Sequence, residues 1–474
     1  MRILKIAFAG IIYAAMLWAA PMKALELKAG TAKGVITPSD PLGRITVMGR
    51  PIKGVNHDIY ARVLVLDDGA HKLVFVTYDL NCLDVATPLI RSRAVHELGI
   101  DRAYLVMMAT HNHAAPIQIN PKNFDYGRWL AGRIFGLIQE AIKDESGSVK
   151  VYFGTESGKF IRSDARYTNV YGGHEPVDDE VEVLKITQGD KVKALLVSQA
   201  THPAQATFSQ VDPGHPGYAM EMLEKDFPGA TALYADGCGG DQFAAGAPAL
   251  FSSPENVQRV AGELAGTVEH ISKGDMIEVT GRLNSELKVQ SLPLRGPISE
   301  EEAKRLGELK HVTADTPFEP YPDKGRDYNW IKSLLKHYQD HLPFPTRSDD
   351  YICTDEEYLV KELPTPREFP CRFEEAIVAT IGQMVLVSMQ GEVCAPIGKE
   401  IKEAWRSKRP VMVCAYMGEH NLYIPTRKLV EVNAYQSKVI QEQYASPVGW
   451  SPDVGDVLVK GIGEMIEEMI RSEH

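Results

Sequence analysis

Two histidines, two positions apart, follow a strongly apolar segment of the chain. The segment Tyr104 to Ala109 runs directly into Thr110-His111-Asn112-His113. In an extended backbone, residues i and i+2 point to the same face, so His111 and His113 can converge on one metal ion or one substrate atom. Because the chain has 14 histidines in 474 residues, such a pair also arises by chance, and the spacing alone leaves both interpretations open.

Three further side chains capable of chemistry follow segments that predict strands. His202 follows the segment 194–200, Glu392 follows 384–389, and Tyr423 comes after 411–415 and a short polar stretch. Ligands of α/β sheets bind at the carboxyl ends of strands, so we expect these side chains near His111. Two histidines and a carboxylate, with one position left for water, are a common ligand set for catalytic zinc.

Each of these three residues also has an ordinary structural interpretation. His202 precedes Pro203 and could cap a turn or a helix, and Glu392 could be a solvated loop carboxylate after Gly391. Tyr423 could be a half-buried core residue whose hydroxyl finds a partner. Their shared placement after predicted strands raises the case for a metal site.

Short β-rich segments alternate with amphipathic helical segments, which predicts an α/β fold of layered mixed sheets flanked by helices. The predicted strands are 59–66, 72–79, 103–110, 193–200, 231–236, 383–390 and 411–416, and the predicted helices are 124–142, 254–271, 299–309, 329–341 and 453–470. A stretch rich in charge, Pro and Asp, from about Leu292 to Arg372, predicts a helical insertion inside one large domain of residues 25–474.

A glycine-rich loop follows the predicted strand 231–236. Its sequence, Asp236-Gly237-Cys238-Gly239-Gly240-Asp241, is typical of a loop that approaches a ligand or another backbone closely, and equally of a tight turn capped by Asp241. The spacing of a phosphate-binding loop is absent, and so is a GxSxG nucleophile elbow.

The composition excludes some classes of function. The chain has 51 Lys and Arg against 63 Asp and Glu, a net charge of −12, and 44% hydrophobic residues. The apolar content is that of a globular protein rather than a disordered one. Affinity for nucleic acid comes mainly from Lys and Arg that neutralise phosphates, so an acidic chain favours a small-molecule substrate and argues against nucleic acid as partner.

The N-terminus predicts export. Arg2 and Lys5 precede an apolar stretch from Ile6 to Ala20, and a small residue follows at Ala24, which is the pattern of a cleaved signal peptide over residues 1–24. The alternative, an uncleaved anchor, would need about 20 apolar residues. We therefore expect a secreted or periplasmic protein with no membrane span in the mature chain. Among the six cysteines, Cys353 with Cys371 is the most local candidate for a disulfide.

Several short motifs, in a fixed order, resemble one known family. The sequence is similar to the neutral, non-lysosomal ceramidases from about Lys28 to the C-terminus. The similarity rests on Ala29 to Pro38, His57 to Arg62, Tyr78 to Leu80, Thr110 to Pro116, His202, Gly239 to Asp241, Gly391-Glu392 and Tyr423 to Thr426.

This resemblance implies a zinc-dependent amidase with one zinc ion per chain. The family's metal ligands fall on His111, His202, Glu392 and Tyr423, the residues that the strand ends also indicate. Its general acid/base falls on His113, and the residues lining its reaction centre fall on Arg162 and Tyr435. Zinc would lower the pKa of a bound water to near 7, and the resulting hydroxide would attack the amide carbonyl.

The sequence departs from the family at several motifs. The family's Gly-Asp-x-x-Pro-Asn becomes Gly240-Asp241-Gln242-Phe243-Ala244-Ala245, and we expect no counterpart of the family's immunoglobulin-like C-terminal domain in the 474 residues. We therefore expect hydrolysis of the amide of an N-acylated compound, with a ceramide-like lipid as one option. Two alternatives are a zinc-dependent ester or lactone hydrolase and a binding protein that keeps the fold without activity.

Overall fold

The computed structural model describes residues 26–118, 120–163, 170, 176–246, 252–317, 322–344, 347–348, 371–418 and 422–473, with the backbone alone at 162–163, 322–327 and 347–348. The first part of the chain forms β1 (Lys28–Val35), β2 (Tyr60–Asp67), β3 (Lys72–Tyr78), α1 (Ala86–Leu98), β4 (Leu105–Ala109) and α2 (Phe124–Lys143). The middle forms β5 (Val149–Ser157), β6 (Ile161–Ser163), β7 (Glu180–Gln188), β8 (Lys191–Gln199), α3 (Gly214–Asp226), β9 (Thr231–Asp236), β10 (Gln242–Ala244), α4 (Pro254–Lys273) and β11 (Ile277–Glu278).

The last part carries the third main sheet and the helices around it. It forms β12 (Leu283–Pro293), α5 (Glu300–Lys310), α6 (Pro322–Gln339), β13 (Arg347–Ser348), β14 (Cys371–Ile381), β15 (Met384–Met389), β16 (Glu392–Val393), α7 (Ala395–Trp405), β17 (Val411–Cys414), β18 (Tyr423–Ile424), α8 (Arg427–Glu431), α9 (Tyr435–Glu442) and α10 (Val454–Ser472).

Three main sheets share one strand pattern. Their strand orders are β1-β2-β3-β4, β5-β7-β8-β9 with β11 beside β5, and β12-β14-β15-β17 with β13 beside β14. In each sheet the first three strands are antiparallel, and the fourth runs parallel to the third. A parallel pair needs a crossover, and a helix supplies it each time: α1, α3 and α7.

Strands such as β2, β3, β4 and β15 are buried on both faces, so they read as nearly continuous apolar segments. In β2, Ala61, Val63 and Val65 face a core cluster shared with helices α1 and α2, whereas Leu64 and Leu66 face a cluster formed between the sheets. This arrangement follows from the two-residue period of a strand. Helices α3 and α4 cover the outer face of the second sheet in a third cluster.

The predicted α/β class, with layered mixed sheets flanked by helices, is confirmed. The predicted strands and helices all exist, and the largest difference is at α6, which begins at Pro322 rather than Asn329. Sequence reasoning missed five long strands and three crossover helices: β1, β5, β7, β12, β14, α1, α3 and α7. Among the described residues, no helix combines the length and apolar character that crossing a membrane requires.

The predicted insertion corresponds to an excursion from the third sheet. Pro293, the last residue of β12, pairs with Cys371, the first residue of β14, and α5, α6 and β13 lie between them in sequence. The predicted signal peptide, residues 1–24, and Cys353 of the predicted disulfide lie outside the described residues.

Candidate metal centre

His111 and His113 follow the carboxyl end of β4 and converge, as the sequence predicts. Their Nε2 atoms are 2.9 Å apart, and both side chains are buried. The reason differs from the expected one, because His111 has a φ of 56°, in the left-handed region rather than the extended one. A non-glycine residue adopts this conformation only where its surroundings hold it there, and such residues concentrate at functional sites.

His202 follows β8 and is fixed at both ends of its side chain. Its Nδ1 donates to the carbonyl oxygen of Gly239 at 2.6 Å, and its Nε2 lies 3.1 Å from the hydroxyl oxygen of Tyr423. Its ring packs against Phe243, with a centroid distance of 4.9 Å. His202 is therefore held in one orientation, with Nε2 directed at the other predicted ligands, rather than serving as a turn or helix cap.

Glu392 and Tyr423 come together because they pair across a two-stranded ribbon. Strands β16 and β18 run parallel with Glu392 opposite Tyr423. Oε2 of Glu392 lies 3.2 Å from Nε2 of His111 and 3.2 Å from Nε2 of His202, and the carboxylate is buried. The interpretation of Glu392 as a solvated loop carboxylate is therefore wrong.

The geometry fits a metal ion. The ligating nitrogens of His111, His113 and His202 lie within 4.8 Å of one another. Two ligand atoms of one tetrahedral zinc lie about 3.3 Å apart, since each is about 2 Å from the ion, and Glu392 meets that spacing with two of the histidines. Its Oε2 is buried and makes no well-aligned hydrogen bond in the described part of the chain beyond the 3.2 Å approach of these two imidazoles, and a bound cation would satisfy it.

Burial keeps the imidazoles ready to donate lone pairs. Desolvation lowers the pKa of His111 and lowers that of His113 well below the usual range of histidine. Because a metal ligand must be the neutral imidazole, this environment favours coordination near neutral pH.

The second ring nitrogens distinguish the three histidines. Nδ1 of His111 lies 3.1 Å from the side-chain amide of Asn81, and Nδ1 of His202 donates to Gly239. Nδ1 of His113 is buried and has no partner among the described residues. Metal-bound histidines nearly always donate through their other nitrogen, as His202 does, and Asn81 can accept the hydrogen of His111 Nδ1 once its amide is turned to present Oδ1. This difference favours His111 and His202 as ligands and leaves His113 for proton transfer.

The glycine-rich loop after β9 is a close-approach loop. A Cβ atom on Gly239 would lie 2.9 Å from the backbone nitrogen of Thr201, and one on Gly240 would lie 2.5 Å from the carbonyl oxygen of Glu392. Glycine is required there because the backbones of two ligand-bearing segments meet.

The two remaining predicted site residues are Tyr435 and Arg162. Tyr435 begins α9, its ring lies 5.6 Å from that of Tyr423, and its hydroxyl oxygen accepts a hydrogen bond from Gln443. The backbone of Arg162 lies in β6, opposite Phe243 of β10, and its side chain lies outside the described residues.

Besides Phe243, the residues that contact the candidate ligands and that sequence reasoning missed include Asn81 and Tyr416. Asn81, which contacts His111, directly follows the Tyr78 to Leu80 motif of the family resemblance. Its position beside that motif could have identified it as a site residue. Tyr416 follows β17, and its ring centroid lies 4.4 Å from that of His111. Its backbone bonds to Gly391 and Ala109, so it ties the segment carrying Glu392 to the segment carrying His111.

Fold and site together define an α/β protein whose three mixed sheets direct a buried set of imidazoles and a carboxylate toward one point. No protein-family model matches the chain, and no curated protein matches it. Among solved structures, the chain is similar to neutral ceramidase from Pseudomonas aeruginosa, with a TM-score of 0.67 and 16% identity, over 93% of this chain and 74% of that one.

A structure described as a ceramidase complexed with C2 gives a TM-score of 0.65 at 16% identity, over 92% of this chain and 74% of that one. The chain thus has the fold of neutral ceramidase structures, and the predicted resemblance is confirmed at the level of the fold.

Proposed function

We propose that this protein is an exported zinc-dependent hydrolase that cleaves the amide bond of an N-acylated, lipid-like compound. The observation that carries the proposal is the convergence of His111, His202 and Glu392 through buried atoms about one ligand spacing apart, with Tyr423 against His202. The ceramidase fold supports an acyl amide as the bond that is cleaved.

The ligand set fits zinc better than a hard cation. Two imidazoles and a carboxylate form a common catalytic zinc set, whereas magnesium and calcium prefer oxygen ligands alone. When bound, zinc supplies a Lewis acid that acidifies water and polarises a carbonyl. His111, His202, Glu392 and Tyr423 would hold the ion.

The other site residues handle protons and charge. His113 lies 2.9 Å from His111 but has no partner at Nδ1 within the described residues, so it can take up a proton and pass it to the leaving amine. Tyr435 accepts a hydrogen bond from Gln443, and a phenol that accepts one bond donates more strongly through its own O–H. We assign Tyr435 and Arg162 to the oxygen that gains negative charge.

Metal analysis of the purified protein tests the site. We expect about one zinc per chain in the wild type and less than a tenth of that in His111→Ala and in His202→Ala, since each loses a ligand. His270→Ala is the control, because His270 is exposed and pairs only with Glu156 among the described residues. Full zinc content in both ligand variants would contradict the assignment.

A substrate screen tests the reaction. We expect release of free fatty acid from N-acyl amides, with ceramides and N-acyl amino acids as the panel and carboxylic esters of the same acyl chains beside them. Hydrolysis of the esters with none of the matched amides would replace the amidase by an esterase. A wild-type protein that holds zinc but cleaves neither would favour a binding role.

Export is tested by the mature N-terminus. Cleavage after Ala24 would leave a chain that begins at Leu25. Sequencing the N-terminus of protein recovered from the periplasm or the medium should give Leu25, and a chain retained in the cytoplasm with Met1 would contradict export.

A further inference from the structure

We propose that Gln242 is a positioning residue for His202, a role that rests on the proposed metal site. The side-chain amide of Gln242 is fully buried and uses three hydrogen bonds. Its Nε2 donates to the carbonyl oxygens of Ala200 at 2.5 Å and of Asp178 at 2.9 Å, and its Oε1 accepts from the backbone N–H of Asp178 at 2.6 Å. The side chain therefore joins the segment entering β7 to the segment leaving β8.

The backbone of Gln242 encloses His202. The carbonyl oxygen of Gln242 accepts the backbone N–H of His202 at 3.0 Å, and the N–H of Gln242 donates to the carbonyl oxygen of Gly239 at 3.2 Å. That same oxygen accepts the hydrogen on Nδ1 of His202. One residue thus fixes both the main chain of the ligand and the acceptor that sets the orientation of its ring.

Asp178, the residue that Gln242 binds in the segment entering β7, is held in turn by an ion pair. Asp178, which makes two of the three side-chain bonds of Gln242, forms a buried ion pair with Lys402 of α7 at 2.6 Å. Lys402 lies outside the cluster of candidate ligands. The position of His202 is therefore set through Gln242 by an ion pair elsewhere in the fold.

The chemistry of the position requires a primary amide. Two carbonyl oxygens and one N–H face the side chain, so it must supply two donors and one acceptor at the end of a three-carbon span. Glutamate at this position would place an oxygen against the two carbonyls.

The test measures zinc affinity apart from activity. Gln242→Leu keeps the volume and removes the three bonds, and Gln242→Glu keeps the shape and removes the donors. We expect the zinc Kd of each, measured by competition with a chromophoric chelator, to rise by 10-fold or more. The glutamate variant serves if the leucine variant does not fold.

Asn123→Leu is the matched control. Asn123 is also a fully buried amide with three bonds to backbone, at Ile45 and Ile117, and it touches none of the candidate ligands. We expect a similar loss of melting temperature but a zinc Kd within twofold of the wild type. A wild type that binds no zinc would overturn the proposed function. A wild type that binds zinc, with Gln242 variants no weaker than the control, would overturn the positioning role alone.

Discussion

At the scale of single residues, the contacts of Nδ1 distinguish the three histidines of the candidate site. Nδ1 of His111 faces Asn81, and Nδ1 of His202 bonds to a carbonyl, while Nδ1 of His113 is buried without a partner in the described part of the protein. An anchored imidazole suits a metal ligand, because its ring cannot turn away. His113 lacks that anchor, which makes it the least suited of the three to hold a metal ion and leaves it available for proton transfer.

Because of this difference, we expect substitution of His113 to reduce activity without reducing zinc content, and substitution of His111 to reduce both. His113→Gln should keep about one zinc per chain and lose at least 100-fold in kcat, since general acid/base catalysis contributes about that much. His111→Gln should lose both. Zinc analysis and steady-state kinetics on the two variants check this. Loss of zinc from His113→Gln to the level of His111→Gln would make His113 a ligand instead.

At the scale of elements, each main sheet contributes one segment of the site from the end of its parallel pair. His111 follows β4, His202 follows β8, and Glu392 follows β15. The helix after β15 also ties the sheets together, because Lys402 of α7 reaches three carboxylates at the start of β7: Asp178, Glu180 and Glu182. Burial raises the pKa of Glu182 to about 8. The Lys402 amine does not offset this effect, because it is shared with two other carboxylates that also raise the pKa of Glu182.

This cluster predicts a pH-dependent stability. A carboxyl group with a folded pKa of about 8 binds a proton in the folded protein that it loses when unfolded, so stability falls as the pH rises from about 4.5 toward 8. Glu182→Gln removes that dependence. Relative to the wild type, its free energy of unfolding should be higher at pH 9 than at pH 6 by about 3 kcal/mol, since each of the two pH units between pH 6 and a folded pKa of about 8 costs the wild type about 1.4 kcal/mol.

Urea unfolding of both proteins at the two pH values measures this effect. The exposed carboxylate Glu464 supplies the control, since Glu464→Gln should leave the pH dependence unchanged. An equal difference between wild type and Glu182→Gln at pH 6 and pH 9 would mean that Glu182 is ionised in the folded protein at both.

At the scale of the whole molecule, the candidate ligands come from parts of the chain that are far apart in sequence. His111 and His202 follow strands of the first two main sheets, and Glu392 and Tyr423 lie on the two-stranded ribbon of β16 and β18. A metal ion bound there would link the sheets at the point where their carboxyl ends meet. The backbone already supports this meeting point, since Tyr416 accepts from Ala109 and Ala415 donates to Asp236. Binding to the folded state alone stabilises it by mass action.

Removal of the metal should therefore destabilise the whole fold. With free zinc at 1,000 times its Kd, the bound ion adds about 4 kcal/mol to the free energy of unfolding. We expect a chelator to lower the melting temperature of the wild type by several degrees, and added zinc to restore it. His111→Gln should melt at one temperature with or without chelator. A wild-type melting temperature unchanged by chelator would argue against a bound ion.

Charged residues within some strands prevented their prediction from the sequence. β14 contains Arg372, Glu374 and Glu375, and all three are buried. These residues break the apolar pattern that predicts a strand, and only the folded structure supplies their partners, such as Arg91 for Glu375 and the neighbouring Arg372 for Glu374. Most of the strands that were predicted have an uninterrupted apolar segment, and β2, with Arg62 at its third position, is an exception.

The sequence by itself determined the α/β class, the segments that end at the site, and His111, His202, Glu392 and Tyr423 as candidates, because periodicity and residue type are local properties. Only the tertiary structure decided which side chains meet, that Asn81 and Tyr416 contact His111, and that Gln242 holds His202. Those facts depend on contacts between segments as far apart as Glu392 and His111, and no local pattern encodes the register that brings them together.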